Sequence, residues 1–328
     1  MAPISLRSAL VAAVLAGSFG MVQLCGTASA VGPVSENVTT YHYDNLRTGW
    51  NPNETVLTPK TVLRGSGAMT FKMTSFTSLD EQVDTQPLIV TGQTIKNMGT
   101  HDVVYVTTEN NSIYAIDANS GAILLKRNLG TPVPIEDLPG GCGNNSGNVG
   151  IGGTPVIDLP NNIMYVISYL SVNGGEAYYL HEINLTTLAD VTPRVLVRAG
   201  AKLTNGKNFL FHASVSRQRA ALLLANGNVY AGFASFCDQA ADQSRGWVLG
   251  WNTGTLTPLA ANDLTNKLAP TPTTSSCRRC GCRATAWRPP PPATSTSSPA
   301  IPTLTARRST ASTTSPKVSC RCLPTFRL

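Results

Sequence analysis

HDVVYVTTENNSIYAIDANSGAILLKRNLG, residues 101–130, decides the fold. Val103 to Thr107 is apolar and β-branched, the composition of a half-buried strand. Asn110-Asn111 supplies a hairpin turn, and Ser112 to Asp117 forms the next strand. Ala118 to Gly121 turns again, and Ala122 to Lys126 makes a third strand. TQPLIV (85–90), immediately upstream, supplies a fourth.

The unit recurs. GTPVID (153–158) leads to IMYVISY (163–169) and YYLHEINLTTL (178–188); RAALLLANGNVYAGFAS (219–235) leads to GWVLGWNTGTL (246–256). The V-Y or M-Y strand falls at Val104, Met164 and Val229. Steps of about 60–65 residues, with about four short strands in each, fit propeller blades. A blade exposes apolar faces that only its neighbours cover, so several must pack side by side.

Composition agrees with an exported, turn-rich β protein. Charged residues are 13% of the 328, and Gly numbers 28. Arg7, the apolar run Ala9 to Ala16 and the Ala28-Ser29-Ala30 cleavage site make residues 1–30 a signal peptide. The mature chain is expected to start at Val31 and to be secreted, extracellular or periplasmic, without a membrane span. The net charge of +7 misleads. The tail 273–328 carries eight Arg, one Lys and no acid, and Arg7 leaves with the signal; the body is left at −3. It offers no basic face to nucleic acid. Five of the eight Cys lie in the tail and Cys25 in the signal, so the body keeps Cys142 and Cys237. In an exported body these two can pair or stay free.

IYAIDANSGAILL (113–125) resembles the blade signature of pyrroloquinoline-quinone-type (quinoprotein-like) propellers: A-x-D, a turn ending in Gly, then a strand. Ala115, Asp117 and Gly121 match; the Asp can accept turn N–H bonds and the Gly can take positive φ. Leu125 stands where the family often has Trp. The second copy has Leu188 where Gly is expected; the third keeps Gly254 and offers Trp251. YHYDNLRTGWNPNETVLTP (41–59), CGNNSGNVGIGGTPVID (142–158) and QRAALLLANGNVYAGFASFCD (218–238) are similar to other stretches of the same group. The resemblance covers about 41–256. It implies an all-β β-propeller of four-stranded blades, about four of them in frame and short of a closed ring. The expected organisation is a lead-in segment 31–66, a partial propeller 67–272 and a Cys/Arg/Pro-rich tail 273–328. An open array of blades leaves apolar faces wet, which favours aggregation.

The grammar changes after Pro272. One reading is a disordered low-complexity tail. A second is a metal or anion site, since Cys277-x-x-Cys280-x-Cys282 and Cys320-x-Cys322 have ligand-like spacing. A third is a frameshift near residue 273. Moving the frame by two bases lets residues 293–302 encode HLYFVTGNS, a V-Y-type strand and turn at the pitch of the preceding copies. The Arg-rich tail has the electrostatics for anions or nucleic acid, provided its frame is real.

The four His, at 42, 101, 181 and 212, form no i, i+4 pair and read as surface or blade-edge residues. There is no G-x-S-x-G and no P-loop. GGCGNNSGNVGIGG (140–153) precedes a strand and opens no helix, so it reads as an inter-blade loop. The resemblance implies an enzymatic option, a dehydrogenase holding pyrroloquinoline quinone and calcium at the propeller centre. The adjacent Cys-Cys pair that such enzymes commonly carry is missing, and no calcium ligand can be matched. The leading expectation is an exported scaffold that binds a protein or glycan without catalysis; a fragment of a quinone-dependent oxidoreductase is the alternative. Five N-x-S/T sequons, at Asn37, Asn53, Asn110, Asn144 and Asn184, are candidate glycan acceptors in a glycosylating host.

Overall fold

The computed structural model describes residues 36–54, 57, 73, 75–237 and 245–269. The signal peptide and the tail 273–328 lie outside the described residues, as does most of the later half of the lead-in segment.

The described chain is all-β and antiparallel. Sheet 1 has the order β1 (Leu88–Ile95), β2 (Gly99–Thr107), β3 (Ser112–Asp117), β4 (Ile123–Asn128). A two-stranded ribbon of β5 (Val133–Pro134) and β6 (Asn148–Val149) leads out of it. Sheet 2 contains β7 (Val156–Asp158), β8 (Ile163–Val172), β9 (Gly175–Asn184) and β10 (Val195–Leu196), again in chain order across the sheet. β11 (Gly200–Lys202) and β12 (Asn208–Leu210) form a second ribbon. Sheet 3 holds β13 (Ser216–Gln218), β14 (Leu223–Ala225), β15 (Asn228–Ser235), β16 (Trp247–Asn252) and β17 (Asp263–Leu264). The described residues thus contain three copies of the unit, against the roughly four expected, and they close no barrel.

The three copies share one register. Val103 faces Asp117, Ile163 faces Asn184, and Asn228 faces Asn252. Val104, Met164 and Val229 are therefore equivalent positions, as the V-Y spacing indicates. The turns match bond for bond. The amides of Gly121, Leu188 and Leu256 each donate to the carbonyl four residues earlier, at Asp117, Asn184 and Asn252, all at 2.8 Å. The side-chain oxygens of those three residues also accept turn amides, from Asn119 and Ser120, from Thr186, and from Gly254.

The third copy corrects the sequence alignment. Gly254 occupies the place of Asn119, and Leu256 is the equivalent of Gly121. Leu188 and Leu256 adopt φ of 57° and 52°, against 74° at Gly121. A non-glycine residue there costs about 1–2 kcal/mol. Both leucines bury their side chains almost completely, and burying a Leu returns about 1.5–3 kcal/mol. Gly121 has no such option: a Cβ there would sit 2.6 Å from Cβ of Ser75.

The starting strand also lies later than expected, at Leu88–Ile95 rather than residues 85–90. Thr85 and Gln86 are engaged elsewhere, with Thr107 and Thr154.

Packing runs sheet to sheet. One core joins sheet 1 (Val103, Tyr105, Ala115) to sheet 2 (Met164, Val166, Ile183), and Leu188 fills it. A second joins sheet 2 (Tyr165, Ile167, Leu180) to sheet 3 (Val229, Phe233, Trp251), and Leu256 fills that one. The outer face of sheet 1, expected to be wet in an open array, is covered: Leu79 and Val83 pack on Val106, Tyr114 and Ile116.

Residues 36–49 run along one edge of all three sheets, at β1, β7 and β14. Val38 exchanges backbone bonds with Ile89, Thr39 accepts from Ile157, and Arg47 and Asn45 donate to the carbonyls of Leu222 and Leu224. Residues 36–49 are thus a strap that ties the array together.

Candidate functional site

The blade-signature residues lie in the seams between sheets and in the turns. Ala115 is fully buried between sheets 1 and 2, and Trp251 is buried between sheets 2 and 3. Asp117 caps its turn and pairs with His101, Oδ2 to Nδ1 at 2.7 Å. Burial pushes Asp117 upward, but hydrogen bonds from His101 and Ser120 outweigh it and hold the carboxyl at about 2. The same pair, with the Met98 carbonyl, raises His101. Cys142 and Cys237 form a disulfide, Cα to Cα 5.6 Å, which ties the Gly-rich loop to the end of β15.

One expectation about the histidines fails. His42 and His212 are exposed and His101 is half-buried, but His181 is 1% exposed. Its Nδ1 lies 3.0 Å from Asp190 Oδ1 and its Nε2 lies 2.9 Å from Ser168 Oγ. The carboxylate requires a proton on Nδ1, so Nε2 accepts from the serine. Asp190 also accepts from Arg127, which reaches across from sheet 1 and donates to the Leu188 carbonyl as well. Burial lowers His181 and keeps it neutral, with the Asp190 bond pulling the other way. Ser-His-Asp connectivity is that of a hydrolase, but a nucleophile must meet its substrate. Ser168 is 0% exposed on the face of sheet 2 that packs against sheet 1. The chain of bonds is a polar strut through that seam. The sequence hides it because Arg127 and Asp190 are brought together only by the stacking of sheets.

A second cluster lies at the Gly-rich loop. Glu109, in the hairpin between β2 and β3, is fully buried. Its Oε2 accepts from the Gly150 amide at 2.6 Å, and its Oε1 meets no hydrogen-bond partner among the described residues. Burial pushes its carboxyl up to about 7, the nearby Asp84 adds to this, and Arg217 and Asn144 oppose it. Gly150 must be Gly, because a Cβ would lie 2.4 Å from the Glu109 carbonyl oxygen. Arg217 in turn donates to Asn144 Oδ1 at 2.7 Å. The sequence signal for this site was the glycine run itself, which marks close backbone approach.

Arg47 is the third buried polar group that sequence reasoning did not single out. It is 7% exposed and donates to Thr40, to the Tyr41 carbonyl and to the Leu222 carbonyl.

Among the described residues no three His, Cys, Asp or Glu side chains gather closely enough to hold a metal ion, and no helix is long and apolar enough to cross a membrane.

No family model matches the chain, and no curated protein matches it. Three solved structures show a distant, partial likeness. A quinohemoprotein alcohol dehydrogenase from Pseudomonas putida HK5 is 20% identical over 55% of this chain and 20% of its own, with a TM-score of 0.32. BamB from Moraxella catarrhalis is 18% identical over 48% of this chain and 36% of its own, at 0.28. A europium-containing methanol dehydrogenase is 17% identical over 54% of this chain and 24% of its own, at 0.33. The chain spans between a fifth and about a third of the length of these three proteins.

Proposed function

We propose that the chain is an exported β-propeller-type scaffold that binds an extracellular protein or glycan and does no chemistry of its own. The supporting observation is the repeat itself: three sheets in one register, packed face to face, with a single strap along one edge of each. Such an array presents loops from a rigid body, which is what a binding scaffold requires. In this reading residues 67–272 form a partial propeller, the signal peptide ends near Ala30, and residues 273–328 are disordered or out of frame. Sequencing the gene across codons 262–330 tests the last point. A one-base correction that restores HLYFVTGNS supports it, and confirmation of the written frame makes the Cys/Arg tail a genuine segment with anion binding to be assayed.

The second reading is a fragment of a quinone-dependent dehydrogenase, and Glu109 is what speaks for it, as a buried carboxylate with one free oxygen. Bound calcium would supply Lewis acidity, and it takes six to eight oxygen ligands. Glu109 stands without two further acidic or histidine partners at metal-binding distance among the described residues, so these residues do not fit the group. The deciding experiment supplies pyrroloquinoline quinone and calcium to the protein with a dye acceptor and a panel of alcohols. The scaffold reading expects no dye reduction and no quinone binding; alcohol-dependent reduction overturns it.

A further inference from the structure

The Gly-rich loop, residues 140–153, is held from two sides. Toward sheet 3, the Cys142–Cys237 disulfide and the Arg217–Asn144 bond fix its first half. Toward sheet 1, its second half rests on three carboxylates. Asn145 donates to Asp84 at 3.2 Å, Asn148 to Glu81 at 3.3 Å, and the Gly150 amide to Glu109 at 2.6 Å. The loop itself carries no ionisable side chain besides the bridged cysteine. Two of its supports, Glu81 and Asp84, are half-buried and meet water, whereas Glu109 is fully enclosed. Gly150 is pressed onto the Glu109 hairpin: a Cβ there would also lie 2.9 Å from the Asn111 amide nitrogen. A Cβ on Gly152 would lie 3.5 Å from Glu109 Oε1. Loop backbone thus covers the carboxyl.

The ionisable groups that face Glu109 come from each element packed around it. Asp84, in the segment before β1, opposes its ionisation, and Arg217, on β13, favours it. Tyr178, on β9, feels the Glu109 charge, and burial raises its phenol so that it stays neutral. Asp80 is tied to Thr108, Asn110 and Ser112 of the hairpin and to Lys126, and Glu81 is tied to Asn148. Protonated, Glu109 sits under the loop without charge. Ionised, it draws more strongly on the Gly150 amide, but one amide does not replace the waters an exposed carboxylate takes. Its Oε1 has no partner among the described residues, and Asp84 adds repulsion. Lifting the loop backbone lets water reach that oxygen.

We propose that Glu109 makes the Gly-rich loop a pH-sensitive latch, closed while the carboxyl is protonated and unhooked around Gly150 once it is ionised. The turning point lies near pH 7, where burial places the Glu109 carboxyl. The disulfide and Arg217 hold the first half of the loop, so the opening is local. The latch is independent of which functional reading holds. The test is hydrogen exchange by mass spectrometry on the full chain, with the disulfide intact during labelling, from pH 5 to pH 8. Rates are corrected for the intrinsic pH dependence of exchange. Protection of peptides spanning residues 145–155 should fall by up to about tenfold per pH unit above 7. Peptides from β8 and β9 should keep theirs. Glu109→Gln should remove the pH dependence at the loop. Asp84→Asn, which leaves Glu109 in place, should move the transition to lower pH. Three outcomes each overturn the latch: loop protection that does not change with pH, a transition that survives Glu109→Gln, and a loss that strikes β8 and β9 equally. If Glu109→Gln fails to fold, an unmoved transition in Asp84→Asn overturns it instead.

Discussion

The hydroxyl of Tyr105 lies 2.9 Å from the carbonyl oxygen of Leu185, which sits one residue into the turn of the next copy. Tyr165 repeats the relationship one sheet later, donating to the Thr253 carbonyl at 3.2 Å. Tyr105 and Tyr165 are equivalent positions, and so are Leu185 and Thr253. Each copy thus holds the following one by a tyrosine placed just after the V-Y position. Replacing either tyrosine by Phe should destabilise the protein, by about 1–2 kcal/mol at Tyr105, whose acceptor is buried, and by less at Tyr165, whose acceptor is half-buried. The two effects should add, because the bonds belong to different seams. Urea denaturation of the two single variants and the double variant checks this; a neutral double variant would show that the bonds are incidental.

The left-handed turn position gives a second test. Leu188→Gly removes the backbone strain but also a side chain buried in the seam, and a net loss of about 1–2 kcal/mol is expected. Gly121→Ala should also destabilise, because positive φ and Ser75 both oppose a Cβ. If Leu188→Gly raised the melting temperature, strain rather than packing would dominate.

Stability should depend on pH through Glu109. Its folded pKa, about 7, lies above the ordinary value of 4.5, so the folded state keeps a proton that the unfolded chain releases. The contribution is fully present below pH 4.5 and is lost as pH rises through about 7. The span corresponds to about 3 kcal/mol. Glu109→Gln keeps an acceptor for the Gly150 amide and should flatten this slope, leaving the variant more stable than the parent at pH 8. An unchanged slope in denaturation midpoints between pH 5 and 8 would remove Glu109 as its source.

The Ser168-His181-Asp190 chain should be chemically silent. A fluorophosphonate probe is expected to leave Ser168 unlabelled in the native protein. Ser168→Ala should lower stability by about 1 kcal/mol through the lost bond to His181. Labelling at Ser168, found by peptide mass spectrometry, would mean that the seam opens to solvent.

Local chemistry made much of this fold legible. The V-Y spacing gave the three sheets, and Asp117 with Gly121 gave the first turn. Leu256 was not legible as a turn terminator, because sequence alone favours the nearby Gly254 and does not show that burial can repay strain. His181 was misread because its partners arrive from another strand and another sheet. Arg47 was missed for the same reason: its acceptor, Leu222, lies 175 residues away. The Cys142–Cys237 pair stayed open until the geometry closed it.

The strap has a consequence for the order in which this chain folds. The ribosome makes residues 36–49 before any sheet exists, yet Asn45 meets its partner at Leu224 only 179 residues later. Val38 can pair with Ile89 once sheet 1 exists, but Asn45 and Arg47 must wait until the third copy has emerged. Contacts of such separation slow folding, because loop closure is costly before anything rewards it. The sheets can pair as they appear, whereas the Asn45–Arg47 end of the strap can lock only once sheet 3 is present. That makes it the step that reports whether all three copies have arrived.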